Sequence, residues 1–128
     1  MENQTVYEMV GGAETFQKLA ATFYRRVETD TLLRPMYPKH LKCAEDMLRD
    51  FLAQFFGGPA DYSALRGHPR LRMRHARFKI GQAERDAWLA NMYASIDEVG
   101  IAEPNRSLMR GYFMEASTFL INTPESET

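Results

Sequence analysis

Chemistry-bearing side chains crowd into residues 66–79. That stretch holds Arg66, Arg70, Arg72, Arg74, Arg77 and Lys79, together with His68 and His75, two of the chain's three histidines. No acidic residue lies between Asp61 and Glu84. Two chemistries fit such a cluster. A basic loop can bind phosphate backbones through charge alone. Alternatively, one imidazole ligates a metal-bearing cofactor and the guanidinium forks hold that cofactor's anionic groups.

His75 is the stronger ligand candidate. It sits between Leu71 and Met73 on one side and Phe78 and Ile80 on the other, whereas His68 precedes Pro69 in a turn and His40 lies in a polar corner. The bland reading is an exposed histidine in a basic loop, and spacing alone leaves both readings open. Imidazole is a residue type that is largely neutral, hence ligating, near neutral pH. No second His or Cys cluster stands at zinc-ligand spacing, so an all-protein zinc site is not expected. One histidine suffices if a porphyrin supplies four nitrogens. Haem would also give the arginines a partner, since its edge carries two propionates and arginine forks bind carboxylates well.

An apolar slot must then lie opposite the imidazole. Leu48, Phe51 and Leu52 are candidate walls, and Tyr24, Tyr37 and Trp88 candidate hydroxyl and indole donors. For each aromatic taken alone, a core residue bonded to backbone is the simpler reading. Other chemistries find little support. There is no Gly-Lys-Ser phosphate loop and no His-Glu-x-x-His zinc motif. The carboxylates fall mostly on solvated helix faces. The lone Cys43, beside Ala44, reads as a packed or edge residue.

The elements that must position these groups are helical. Phe16, Leu19, Ala20, Phe23 and Val27 follow helical spacing and predict a helix over 13–29, after a short turn at Tyr7–Val10 and a break at Gly11-Gly12. Leu32-Leu33-Arg34 suggests one more turn. Pro35 and Pro38 then bracket Met36-Tyr37 as a stiff, non-helical corner. Ala44, Met47, Leu48, Phe51, Leu52 and Phe55 predict a second helix over 41–56, stopped by Gly57-Gly58-Pro59. No sustained period runs through 60–80 beyond a short helix at 71–76, and a connection that long is usually functional or disordered. A third helix is expected over 82–99 with Ala87, Trp88, Met92, Ile96 and Val99 inward. A fourth runs over 104–122 with Leu108, Met109, Tyr112, Phe113, Ala116, Phe119 and Leu120 on its apolar side. The expected fold is all-α in one domain spanning 1–128, with a core at 6–122 and loose ends at 1–5 and 123–128.

The totals narrow the partners. A formal net charge of −1 over 128 residues does not suit a general nucleic-acid binder, which leaves the 66–79 loop as a remote nucleic-acid alternative. A single cysteine forbids an intrachain disulfide and suits a reducing compartment. With no signal-like amino terminus and no long apolar run, a cytoplasmic, membrane-free protein is expected.

Taken in order, several pieces resemble a known family. They are Val10-Gly11-Gly12 with Thr15-Phe16, Phe23-Tyr24, Leu33-Arg34-Pro35-Met36-Tyr37-Pro38, Gly57-Gly58-Pro59 and Tyr62-Ser63. The run from Arg66 to His75 and Glu84-Arg85-Asp86-Ala87-Trp88-Leu89 complete the set. The ordered set resembles the group II, or O-type, truncated haemoglobins across nearly the whole chain. That resemblance implies a truncated globin fold, a two-over-two helical sandwich around haem b. It implies His75 as the iron ligand, and Tyr24, Tyr37 and Trp88 as distal polar residues. Ala44 and Leu48 would face the iron, with Ala44 leaving a small gate where ordinary globins often carry His. Tyr62, Arg72 and Arg74 match propionate contacts, and Phe51, Leu52, Phe78 and Ile80 the apolar surround. Two departures stand out: Phe56 where relatives often have Trp, and Arg77 where many have Pro.

The implied function is tight binding of O2, with NO, CO, peroxide or sulfide as other ligands. Oxygen held at ferrous haem carries partial negative charge, which the tyrosine hydroxyls and indole N–H would stabilise. Slow release would suit redox or ligand chemistry served by an unidentified reductase, and suits oxygen transport less. Peroxidase-like and nitric oxide-detoxifying activity are the enzymatic alternatives. A monomer or weak homodimer is expected.

Overall fold

The computed structural model of the protein describes residues 4–60, 62–63, 75 and 79–123. Among them every regular element is helical: α1 (Val6–Val10), α2 (Ala13–Thr29), a 3-10 turn (Arg34–Met36), α3 (Lys42–Phe55), α4 (Gln82–Val99) and α5 (Asn105–Phe119). Tyr62, Ser63 and His75 are also helical. Helix α2 packs on both α3 and α4, α4 packs on α5, and α1 lies against α5.

Thr5, expected in a loose terminus, instead caps α1. Its hydroxyl accepts from the Glu8 amide at 3.1 Å while the Glu8 carboxylate accepts from the Thr5 amide at 3.0 Å. The Tyr7 amide then donates to the Phe56 carbonyl at 2.8 Å, stitching the amino-terminal helix to the end of α3. Gly57 takes the left-handed conformation (φ 101°) that ends α3. Gly58 has a different reason to be glycine. A Cβ there would lie 2.6 Å from the Tyr7 ring and 2.9 Å from the Ala53 carbonyl oxygen.

The core forms where the helices meet. Phe16, Leu19, Phe23 and Val27 of α2 pack with Leu52 and Phe56, with Leu89, Met92 and Ile96 of α4, and with Met109 and Phe113 of α5. The expected α2 face is fully buried, which is what a helix contacting two neighbours requires. Helix α4 buries Leu89 and Ser95 beyond the expected stripe, because it is covered by both α2 and α5. Ser95 satisfies its hydroxyl on the Asn91 carbonyl at 2.7 Å. Helix α5 corrects the expectation in the other direction. Its buried line is Asn105, Met109, Phe113 and Ser117, one residue every turn, whereas Leu108 and Phe119 are 53% and 57% exposed. With one principal neighbour, α5 has a narrow inward stripe. The corner at Pro35 also differs from expectation. It is a 3-10 turn, since proline's fixed φ suits the first turn of a helix even though it ends an established one.

Candidate functional site

Three aromatic donors expected to act together are brought together, each from a different element. Tyr24 projects from α2, Tyr37 follows the 3-10 turn, and Trp88 sits near the start of α4. The Tyr24 and Tyr37 rings meet edge-on with centroids 5.5 Å apart. Phe23 packs on both Tyr24 (5.1 Å) and Trp88 (5.2 Å), so a core side chain fixes two of the three.

Their polar ends form one network around the Tyr37 oxygen. The Trp88 indole N–H can only donate, and it donates to Tyr37. The hydrogen bond between the two tyrosines raises the Tyr24 pKa and lowers that of Tyr37. Burial pushes the Tyr24 hydroxyl well above the ordinary tyrosine range, and the proximity of Tyr37 adds to the rise. Burial likewise pushes Tyr37 up to about 12, against its hydrogen bonds with Trp88 and Tyr24.

The Tyr37 corner is itself held from two sides. The Asp30 carboxylate accepts from the Leu32 and Leu33 amides at 2.9 and 3.0 Å, and from Asn91 Nδ2 at 2.9 Å across to α4. The Leu33 amide bond leads in holding the Asp30 carboxyl below its ordinary range, with the Asn91 bond next. On the far side, the Arg34 guanidinium donates to the carbonyls of Tyr37, Pro38 and Lys39. None of Asp30, Arg34 and Asn91 was legible as a site residue. Asp30 directly follows the helix expected over 13–29, and Arg34 binds backbone, for which side-chain spacing offers no signal.

Helix α3 presents Ala44, Leu48 and Phe51 on a face only partly covered by protein, whereas Leu52, expected as a wall, is 1% exposed within the core. Tyr62 is buried and meets Phe51 edge-on at 5.4 Å. Two bonds between Gln54 and Ser63, at 2.8 and 2.9 Å, tie the segment carrying Tyr62 back to α3. His75 is helical and half-buried, and its carbonyl accepts from Asn122 Nδ2 at 3.4 Å. Ile80 is buried and anchored more firmly. Its amide donates to Asn122 Oδ1 at 2.9 Å, and its carbonyl accepts from the amides of Asn122 and Thr123 at 2.8 and 3.1 Å. Asn122, read from sequence as the end of the last helix, thus ties the His75 side of the site to the end of α5. Arg66, Arg70, Arg72, Arg74, Arg77, Phe78 and His68 lie outside the described residues.

A helical sandwich with a half-buried helical histidine, a cluster of three aromatic donors and a half-covered apolar helix face defines a globin-like ligand-binding protein. Comparison with known proteins makes the class specific. The family model for bacterial-like globins matches residues 5–120. The group 2 truncated haemoglobin of Bacillus subtilis is 36% identical over 121 residues, covering 94% of this chain and 91% of that protein. Among solved structures, the haemoglobin of Chloroflexus aurantiacus is 50% identical with a TM-score of 0.92, covering 94% of this chain and 99% of that one. A truncated haemoglobin structure from Bacillus subtilis is 35% identical with a TM-score of 0.89, covering 93% of this chain and 100% of that one. The chain belongs to the bacterial-like globins and, within them, to the group II truncated haemoglobins with their two-over-two helical fold.

Haem is therefore the cofactor, and the residues present fit it. Among the described residues no group of three or more His, Cys, Asp or Glu could hold a metal ion. That donor chemistry suits a cofactor bringing its own four nitrogens and needing one protein ligand. The half-covered Ala44, Leu48 and Phe51 offer apolar surface to a flat ring. Phe56, one of the two departures from the family pattern, is a buried core ring packed between Phe16 (5.9 Å) and Phe113 (6.2 Å), and is not part of the donor trio. No helix among the described residues is long and apolar enough to cross a membrane.

Proposed function

We propose that the protein binds O2 and related diatomic ligands tightly, and that it serves redox or ligand chemistry more than oxygen delivery. The observation that carries this is the convergence of Tyr24, Tyr37 and Trp88, three polar aromatics from three elements, on one place. Haem, when bound, would supply an iron able to take a diatomic ligand. In this reading His75 would hold that iron. Tyr62, Arg72 and Arg74 hold the propionates, while Phe51, Leu52, Phe78 and Ile80 exclude water around the ring. Ala44 and Leu48 keep the approach small and apolar, so the trio supplies the polar contacts to the ligand.

In this reading the Tyr37 hydroxyl donates a hydrogen bond to the ligand. Tyr24 and Trp88 hold Tyr37 in place and stand within reach of a ligand that displaces them. A hydrogen bond to a charged acceptor contributes about 1.5–3 kcal/mol, and about 1.4 kcal/mol is a factor of ten. Two such bonds slow release by orders of magnitude. The Bacillus subtilis relative is described as oxygen-avid, which agrees. A ligand held that long is better consumed than delivered. Nitric oxide dioxygenation and peroxide reduction, each drawing on a reductase, are the reactions this favours.

Stopped-flow measurement of oxygen release from the ferrous protein tests the reading. Wild type should release slowly, and Tyr37→Phe and Trp88→Phe should each release about tenfold faster or more. Nitric oxide consumption measured on the same samples should fall as release quickens. Rates unchanged in both variants would remove the donor trio from ligand binding.

A further inference from the structure

We infer that Arg34 is a positioning residue for the Tyr37 hydroxyl, holding the corner that carries it through the carbonyls of residues 37–39. The inference rests on the reading that Tyr37 donates to the ligand. Residues 37–40 lie in neither helix nor strand, and among the described residues no backbone amide donates to the carbonyls of residues 37–39. Arg34 supplies their donors. Nη1 donates to the Tyr37 carbonyl at 3.4 Å and the Pro38 carbonyl at 2.9 Å, and Nη2 donates to the Lys39 carbonyl at 2.7 Å. The Arg34 carbonyl also accepts from the Tyr37 amide at 3.2 Å, so one residue grips Tyr37 by backbone and by side chain.

The guanidinium is suited to this and lysine is not. Its planar fork presents donors on two nitrogens in fixed directions, whereas an ammonium is a single point. The corner is pinned at its other end by Asp30, whose carboxylate also holds Asn91 on α4, one turn after Trp88. Tyr37 is thereby set relative to Trp88 by Asp30 on one side and Arg34 on the other. Pro38 contributes a rigid φ but no N–H, so rigidity alone does not anchor the corner. A misplacement of about 1 Å at a positioned group is enough to weaken a directional contact severely.

The test uses the haem-loaded ferrous protein and two readouts. Trp88 is the chain's only tryptophan, so the carbon monoxide form shows a single indole N–H signal in a proton–nitrogen correlation spectrum. That signal reports the Trp88 to Tyr37 hydrogen bond directly. In Arg34→Gln it should move toward its position in Tyr37→Phe, and oxygen release should quicken about three- to tenfold, less than for Tyr37→Phe. Arg34→Lys, which keeps the charge and loses the fork, should fall between wild type and Arg34→Gln, and stands in if the glutamine variant folds poorly. In a Tyr37→Phe background Arg34→Gln should add less than about twofold. A full effect persisting in that background, or an unmoved indole signal with an unchanged release rate, would overturn the assignment. Release insensitive to Tyr37→Phe, with the indole signal still moved by Arg34→Gln, would sink the donor reading and leave the positioning intact.

Discussion

At Tyr37 the Trp88 indole and the Tyr24 hydroxyl converge on one hydroxyl, and burial keeps both tyrosines from titrating near neutrality. Burial holds Tyr37 up to about 12 and Tyr24 higher. A tyrosine raised in this way is protonated in both folded and unfolded chains below its ordinary value of 10.0. Its share of stability is intact there and is lost as pH rises through about 12. Oxygen release should accordingly stay flat between pH 6 and 10, measured on the ferrous protein at constant ionic strength. A step in that window that disappears in Tyr37→Phe would contradict the burial argument. The three aromatics were legible in the sequence as donors because their types are few and their chemistry is specific. Their network was not. It depends on Phe23 packing against Trp88, a contact between residues far apart in the chain.

Among the elements, α2 was legible almost residue by residue because it is covered on two sides and its buried face is an unbroken helical stripe. Helix α5 was over-read, because an apolar residue on a helix is a necessary sign of burial and an insufficient one. Leu108 and Phe119 face outward while Asn105 and Ser117 face in. The glycines separate two causes that sequence cannot. Gly58 is required by the close approach of Tyr7 and the Ala53 carbonyl, whereas a Cβ on Gly111, midway along α5, would meet nothing within 4 Å. Thermal or urea unfolding should show Gly58→Ala less stable by about 1–3 kcal/mol, since backbone must shift to admit the methyl. Gly111→Ala should be more stable by about 0.5–1 kcal/mol, the helix-propensity gain with no steric cost. Equal signs for the two would mean that packing around one of them is wrong.

For the whole molecule, the pocket joins parts of the chain that share no local signal. The donors come from α2, α4 and the corner between α2 and α3, while the His75 side is tied to the end of α5 through Asn122. This long-range tether was invisible beforehand, because an asparagine past a helix end ordinarily marks only its termination. Its side chain does two jobs at once, accepting from the buried Ile80 amide and donating to the His75 carbonyl. Removing it leaves a buried N–H unpaired, which costs about 1–3 kcal/mol. Because haem binds the folded chain, a pocket loosened on the His75 side should lose it faster. Transfer to a haem-scavenging acceptor protein should run roughly three- to tenfold faster in Asn122→Ala than in wild type. Asn122→Asp keeps an acceptor for Ile80 and loses only the donor to His75, so it should stay nearer wild type. If both variants release haem at the wild-type rate, the tether organises the end of α5 alone and has no hold on the haem pocket.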